Sequence, residues 1–510
     1  MVGAMKWAWS VVLVLASSAW AGELWLPGLF ADGMVIQADR PVALWGKADP
    51  SASVRITLGD KSLTATADAS GRWQAALPAV PPGGPHQLTI ASGDQTVTLN
   101  DVMAGQVWLC SGQSNMAMTL AATLNGKEEA GASEDPLLRV VTVARTPATQ
   151  PKAEVNMARQ RGSESTSPWL KAGPQTSGNF SGAAYYFAKS IRRTTGQPVG
   201  LIVAAYGGSM VRAWTDAKTL EQPALEPVRQ VWDQHLQELP RLTAEYQEKL
   251  KEWEVAAQQA KDEGKKPPRK PGSPIKPGDY NSPSALYNGM LHPLIPYTVR
   301  GVLWYQGESD ANRADLYRVH FPIFIESIRR HWGDAQLPFY FVQLAGYGPV
   351  DKPGFSALRD AQRLALSLPH TGMAVAIDVG DAGDIHPKNK QAVGERLARW
   401  ALAGQYGQKV EVSGPLPLQA QRQGQRVVVR FDHAAGLATT DGAAPACFEL
   451  VDASGRAVPA TAAIEGATVV LSWTGEQPPV TVRYGWAGTP AVNLCNGEKL
   501  PASPFELAVQ

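Results

Sequence analysis

Two short stretches hold the residue types of a serine hydrolase: Ser114 in Gly112-Gln113-Ser114-Asn115-Met116, and His386 in Asp384-Ile385-His386-Pro387. Each follows an apolar run that reads as a buried strand and leads into a helical pattern. A serine at such a turn can expose its hydroxyl while its backbone N–H points into the same space, assisted by the helix N-terminus. The pattern is not Gly-x-Ser-x-Gly, and taken alone a serine that caps a helix would explain it. His386 adds the second half of the chemistry. Asp384, two residues earlier, can accept the Nδ1 hydrogen bond and leave Nε2 free to take the serine proton. Asp381 and Asp378 are the other carboxylates within reach.

Two further clusters also follow strand-like runs. Trp304-Tyr305-Gln306-Gly307-Glu308-Ser309-Asp310 offers the Gln306 amide as an oxyanion donor beside the backbone N–H of Ser114. Tyr206-Gly207-Gly208-Ser209 lets the backbone approach a ligand, so the Gly208 N–H is a natural second donor, although a tight structural turn needs the same residues. Glu308 and Asp310 are a poor glycosidase pair, since that reaction needs carboxyls roughly 5 to 9.5 Å apart across a sugar. Trp214, Trp304, Tyr305 and Glu308 are candidate substrate contacts, the aromatics by stacking on sugar faces, although aromatics so close to strands also serve as core. The Asp/His cluster lacks the spacing of a metal site, and the acyl-transfer chemistry calls for no metal or organic cofactor.

The elements that must position these residues alternate. Val107 to Ser111, Val199 to Ala205, Gly301 to Tyr305, Pro338 to Leu344 and Met373 to Ile377 are short apolar runs of the kind that parallel strands show when both faces are covered. Helical patterns lie between them at Gly182 to Arg193, Asp315 to Trp332 and Ser356 to Leu368. This predicts a doubly wound α/β domain whose site gathers beyond the carboxyl ends of its strands. The segment from about 222 to 280 interrupts the rhythm. Its stripe Leu236, Leu239, Leu242, Tyr246, Leu250 and Trp253 predicts a long surface helix or helical hairpin closed by a Pro-rich loop.

Short β-rich runs precede and follow this region, among them Val54 to Leu58 and His86 to Ile90, then Arg426 to Phe431, Thr468 to Trp473 and Val480 to Tyr484. They predict small flanking β-sandwiches. The expected division is a signal peptide over 1–21, an N-terminal β-sandwich over 22–103, the α/β domain over 104–406 and a C-terminal β domain over 407–510.

With 510 residues, 44% apolar and 18% charged, and a net charge of +1, the chain is a soluble globular protein with no basic stripe for nucleic acid. Lys6, the run Trp7 to Ala21 and the small residues of Ala19-Trp20-Ala21 read as a cleavable export signal, too short for the roughly 20 residues of a membrane-spanning helix. A periplasmic or secreted location follows, with no membrane insertion after cleavage. Of three cysteines, Cys110 reads as a buried thiol, and Cys447 and Cys495 could be joined in an oxidising compartment.

These motifs carry a resemblance. The chain resembles the bacterial sialate O-acetylesterase-like members of the SGNH hydrolase superfamily, including acetylesterases that act on plant wall polysaccharide. The likeness runs through Gly33-Met34-Val35-Ile36-Gln37, Trp108 to Met116, Tyr287-Asn288-Gly289-Met290-Leu291-His292-Pro293, the Gln306 cluster, Asp384 to Gln391 and Leu500 to Phe505. It implies an SGNH-type fold and a Ser-His-Asp esterase that removes acetyl groups from sugar hydroxyls. Ser114 would be nucleophile, His386 base and Asp384 its partner, with Gly208 and Gln306 matching the family's oxyanion donors. Many SGNH enzymes place the acid three residues before the histidine, which here is Gly383. The expected partner is an acetylated carbohydrate such as xyloglucan, xylan or sialic acid. A non-catalytic carbohydrate-binding protein on a hydrolase scaffold and a lipase or thioesterase of the same superfamily are the alternatives.

Overall fold

The computed structural model describes residues 23–158, 167–349, 353–474 and 477–510. The expected signal segment 1–21 lies outside them. The site is organised by seven strands: β1 (Gln95–Gly112), β2 (Asp135–Thr142), β3 (Leu170–Ala172), β4 (Val199–Ala205), β5 (Gly301–Tyr305), β6 (Phe339–Gln343) and β7 (Thr371–Val375). Their spatial order is β7-β6-β5-β1-β4-β2-β3. All neighbours are parallel except the edge strand β3, which runs antiparallel to β2. Every residue of β4, β5 and β6 is buried, as a sheet covered on both faces requires. The mixed α/β architecture expected from the alternating runs is present.

The chain leaves β1 in one direction to build β2 and β4, then crosses to the other side for β5. β1 therefore stands at the switch point, where loops on the two sides diverge and leave a crevice. Gly112 pairs with Ala205 of β4 and with Tyr305 of β5. The loops carrying Ser114, Gly208 and Gln306 thus depart at one level from three adjacent strands.

Besides the short helices Gly126–Gly131 and Ala217–Leu220, the helices include α1 (Ser114–Ala117), α2 (Gly182–Thr195), α3 (Val211–Trp214), α4 (Glu226–Asp262), α5 (Ala314–Trp332), α6 (Pro353–Leu364) and α7 (Lys390–Tyr406). α2 is capped by Ser181, whose Oγ accepts from Ala184 N and donates to Met116 O at 2.6 Å, tying α2 to the turn after Ser114. α7 is capped by Asn389 and stops at Gly407, whose left-handed φ of 64° ends the helix.

The 222–280 segment holds one long helix of 37 residues, Glu226–Asp262, followed by an irregular Pro-rich return, not a pair of helices. Pro240 sits inside it at the cost of a backbone hydrogen bond. The predicted apolar stripe stays half-buried, because the Pro-rich return covers it: Trp253 Nε1 donates to Pro268 O and His235 Nε2 meets Ile275 O, both at 2.8 Å.

β1 is 18 residues long and carries the chain from the first β region into the central sheet without a break. At its start it pairs antiparallel with Gly83–Ser92, and further along it pairs parallel with Val35–Gln37. After α7, two four-stranded antiparallel sheets bury a separate core that includes Val427, Val429, Leu471, Tyr484 and Phe505. All three cysteines are free, with Cys110 fully buried in β1. Among the described residues no helix is long and apolar enough to cross a membrane.

Candidate functional site

β1 and β5 stay paired to the very turn that presents Ser114, and this dictates glycine at 112. Its φ is 137°, and a Cβ there would lie 2.2 Å from Tyr305 O. Ser114 then opens α1 with its side chain free of capping duty. His386 arrives from β7, three strands away from β1, so the loop after β7 must cross about 14 Å at ordinary strand spacing. It does so: His386 Nε2 lies 2.8 Å from Ser114 Oγ.

Asp384 stands behind His386, with Oδ1 3.5 Å from Nδ1 and accepting the His386 backbone N–H at 2.9 Å. The carboxylate therefore holds the loop backbone more closely than the ring. Asp378 is not a rival, because both its oxygens bind Arg396 at 2.6 and 2.7 Å. Asp381 accepts from Gly383 N within the same turn.

The backbone N–H groups of Ser114 and Gly208 have no acceptor among the described residues. Gly208 sits at φ 74°, a conformation that favours glycine, and Asn281 fixes its loop by donating to Gly208 O at 2.8 Å and accepting from Met210 N at 2.7 Å. Gln306 plays a different part from the one expected. It is fully buried, and its amide nitrogen donates to Ser209 O at 3.0 Å and Asp310 Oδ2 at 2.6 Å. Both hydrogens are engaged, so Gln306 anchors the Gly208 loop instead of donating to an oxyanion. Asp310 also accepts from Val211 N at 3.0 Å, which locks α3 to the same anchor.

Glu308, expected to touch substrate, is an internal tie. Its Oε1 accepts from Asn115 Nδ2 at 2.5 Å, and its Oε2 is buried without a partner among the described residues. Burial raises its pKa against the contrary pull of Asn115 and Lys390. Asn115 Nδ2 also donates to Ile385 O at 3.0 Å, and its Oδ1 accepts from Lys390 Nζ at 2.6 Å. Lys390 donates in addition to Pro387 O at 2.8 Å. Asn115 and Lys390, neither singled out by sequence, thus bind the residue after Ser114 to the residues on both sides of His386.

The aromatic expectation also needs correction. Trp214, Trp304 and Tyr305 are 0–1% exposed. Trp304 and Tyr305 belong to β5 itself, whose two faces are covered, and Trp214 packs edge-on against Trp304 at 6.0 Å between centroids. No sugar reaches them. The half-buried aromatics near the Gly208 loop are Tyr206 and Tyr280, stacked at 4.7 Å with planes 7° apart. Tyr280 Oη comes within 3.6 Å of where a Gly208 Cβ would stand, and Arg145 lies over the Tyr206 ring at 5.8 Å. Tyr280 comes from the end of the 222–280 segment, so that segment furnishes part of the wall near the crevice.

This geometry is accompanied by clear relatives. A family model described as carbohydrate esterase, sialic acid-specific acetylesterase matches residues 104–239 and 270–403. Sialate O-acetylesterase of Mus musculus is 31% identical over 434 residues, covering 75% of this chain and 74% of the mouse protein. The Homo sapiens protein of the same name is 30% identical over 417 residues, covering 75% and 72%. The crystal structure of a carbohydrate acetylesterase from Xanthomonas citri superposes with a TM-score of 0.78 at 35% identity, covering 94% of this chain and 99% of that one. The chain belongs to the carbohydrate esterase family of sialic acid-specific acetylesterases, and is a carboxylic ester hydrolase.

Proposed function

We propose that this protein removes O-acetyl groups from carbohydrate by acyl transfer through Ser114, with His386 as base and Asp384 orienting the imidazole. The observation that carries the reading is the 2.8 Å contact between Ser114 Oγ and His386 Nε2, made by residues that lie far apart in the chain. His386 takes the hydroxyl proton as Oγ attacks the acetyl carbonyl. The oxyanion forms against the N–H groups of Ser114 and Gly208, two preorganised donors in place before the reaction begins. Protonated His386 then gives its proton to the departing sugar oxygen, leaving an acetyl-enzyme. Water, deprotonated by His386, cleaves that ester and releases acetate.

The substrates we favour are acetylated plant wall polysaccharides such as xyloglucan or xylan, and O-acetylated sialic acid. Export to the periplasm or medium through segment 1–21 fits such extracellular substrates. We assign the same four-part division as above, with small β-sandwiches over 22–103 and 407–510 flanking the α/β unit.

The test is release of acetate from each acetylated substrate by wild type and by Ser114→Ala. Wild-type turnover retained in Ser114→Ala removes the proposed nucleophile. Activity that grows from acetyl through butyryl to octanoyl esters favours a lipase or thioesterase instead, and binding of acetylated glycans without acetate release favours a non-catalytic binding protein.

A further inference from the structure

A cavity of about 760 Å³ lies between the first turns of α4 and the α/β core, and none of Ser114, Gly208 or His386 lines it. Its volume falls in the range of small-molecule sites. On its wall is Arg212, 8% exposed.

Arg212 differs from the other buried arginines. Arg359 directs its guanidinium to four carbonyl oxygens, Arg139 to three carbonyls and the Asp101 carboxylate, and Arg329 to two carbonyls. Arg212 donates from Nε to Asn281 O at 3.1 Å, and its two terminal nitrogens have no acceptor among the described residues. The ring of Trp232, from α4, packs 5.2 Å from the guanidinium carbon. Burial pushes the group down to about 10, against the pull of Asp310. A buried cation without an anion in contact is costly, and such a group is satisfied by a ligand that brings the charge.

The acids nearby make no ion pair with it among the described residues: buried Asp310 attracts it through space but spends Oδ2 on Gln306 Nε2 and Val211 N. Asp216 Oδ2 lies 2.9 Å from His331 Nε2, and Asp216 Oδ1 accepts from Thr219 N at 2.9 Å, so this carboxylate is engaged away from Arg212. Asp233 is exposed at the rim and is balanced in sign by exposed Lys218. The remaining lining mixes apolar surface from Leu220 and Val228 with the polar side chain of Asn288, as a ring carrying both C–H and O–H groups would require.

We propose that this cavity is a second, non-catalytic binding site for a saccharide bearing a carboxylate, which pairs with the terminal guanidinium nitrogens of Arg212. Arg presents two parallel donors that match a carboxylate, so the acidic group sets the orientation and the ring fills the apolar wall. The proposal does not rest on the reaction at Ser114 and stands or falls separately from it.

The experiment is calorimetric titration of the full chain with glucuronate and with glucose, which differ in the carboxylate alone. Saturable binding of glucuronate that exceeds glucose by about tenfold or more, weakened by about as much in Arg212→Met and reduced in Trp232→Ala, is the expected result. Melting curves establish that each variant is folded, and the glucuronate-to-glucose comparison needs no variant should Arg212→Met fail to fold. Equal binding of the two sugars, no glucuronate binding, or full affinity in folded Arg212→Met overturns the proposal. So does competition between glucuronate and an acetyl ester substrate, which would place the acid in the catalytic crevice.

Discussion

Lys390 Nζ lies 2.6 Å from Asn115 Oδ1, and through this contact the start of α7 grips the turn that holds Ser114. Asn115 passes the grip to Ile385 O and Glu308, while Lys390 reaches back to Pro387 O. The register between Ser114 and His386 is therefore set by side chains that do not face the proposed substrate. Asn115→Ala and Lys390→Met should each lower kcat by about 10- to 100-fold with little change in KM, because small displacements of reacting groups are costly. Glu308→Gln keeps an acceptor for Asn115 Nδ2 and should retain most activity. Steady-state kinetics on one acetyl ester decides this; a KM effect with kcat intact would show that these residues serve substrate binding instead.

The same lysine gives the fold a pH dependence. Burial pulls Lys390 down to about 7, with the charges of Glu308 and Asp384 opposing the shift, from an ordinary value of 10.5. Between those two pH values the unfolded chain holds the proton and the folded chain does not, so stability contributed by this group rises with pH; below 7 its cost is fully present. Lys390→Met lacks that dependence. The stability of wild type minus that of Lys390→Met should increase from pH 7 to pH 9 by on the order of 1–2 kcal/mol. Urea unfolding at both pH values measures it, and a difference independent of pH means that the amine stays charged in the folded protein.

Aromatic roles separate by assay. Trp304→Ala empties a fully buried site among Trp214, Phe324 and Phe339 and should destabilise by about 3–5 kcal/mol. Tyr280→Ala removes a half-buried ring at the Gly208 loop and should raise KM for acetylated polysaccharide about 3- to 10-fold, a loss of one aromatic contact, while leaving the melting temperature near that of wild type. A Tyr280→Ala enzyme unchanged on polysaccharide would remove this residue from the substrate wall.

What the sequence shows of this site depends on how local the signal is. β4 and β5 have the bounds their apolar runs predict, and the turns after β1 and β4 were readable from serine and glycine next to a strand end. The same adjacency misled for Trp304 and Tyr305: a residue beside a strand end is frequently still in the strand, and a sheet covered on both faces offers no open side. Gln306 and Glu308 have other parts than the oxyanion donor and substrate contact expected of them, because their partners, Ser209 with Asp310 and Asn115, are set by tertiary packing. Asn115, Lys390 and Tyr280 act through contacts distant in sequence, and no period or spacing announces them. The helix over 226–262 was visible as a stripe and the Pro-rich loop after it as a break in periodicity, whereas the packing of that loop over the stripe was not.

Arg359 joins the α/β core to the chain after α7. Fully buried on α6, it donates from Nε to Leu344 O at 2.9 Å, and from its terminal nitrogens to Ala345 O at 2.9 Å, Ala487 O at 2.7 Å and Gly488 O at 2.6 Å. Two acceptors follow β6 and two belong to the C-terminal region, so one planar fork fixes both. Burial lowers the group to about 9, yet no other side chain combines this reach with this many donors. Arg359→Leu leaves four carbonyls without their donor and should cost on the order of 3–5 kcal/mol. Arg359→Lys, with one compact ammonium, cannot span both segments and should recover only a minor part of the loss. Denaturant unfolding of the three proteins checks this; a cost in Arg359→Leu below about 1 kcal/mol would mean that the junction is held by its apolar contacts and not by this fork.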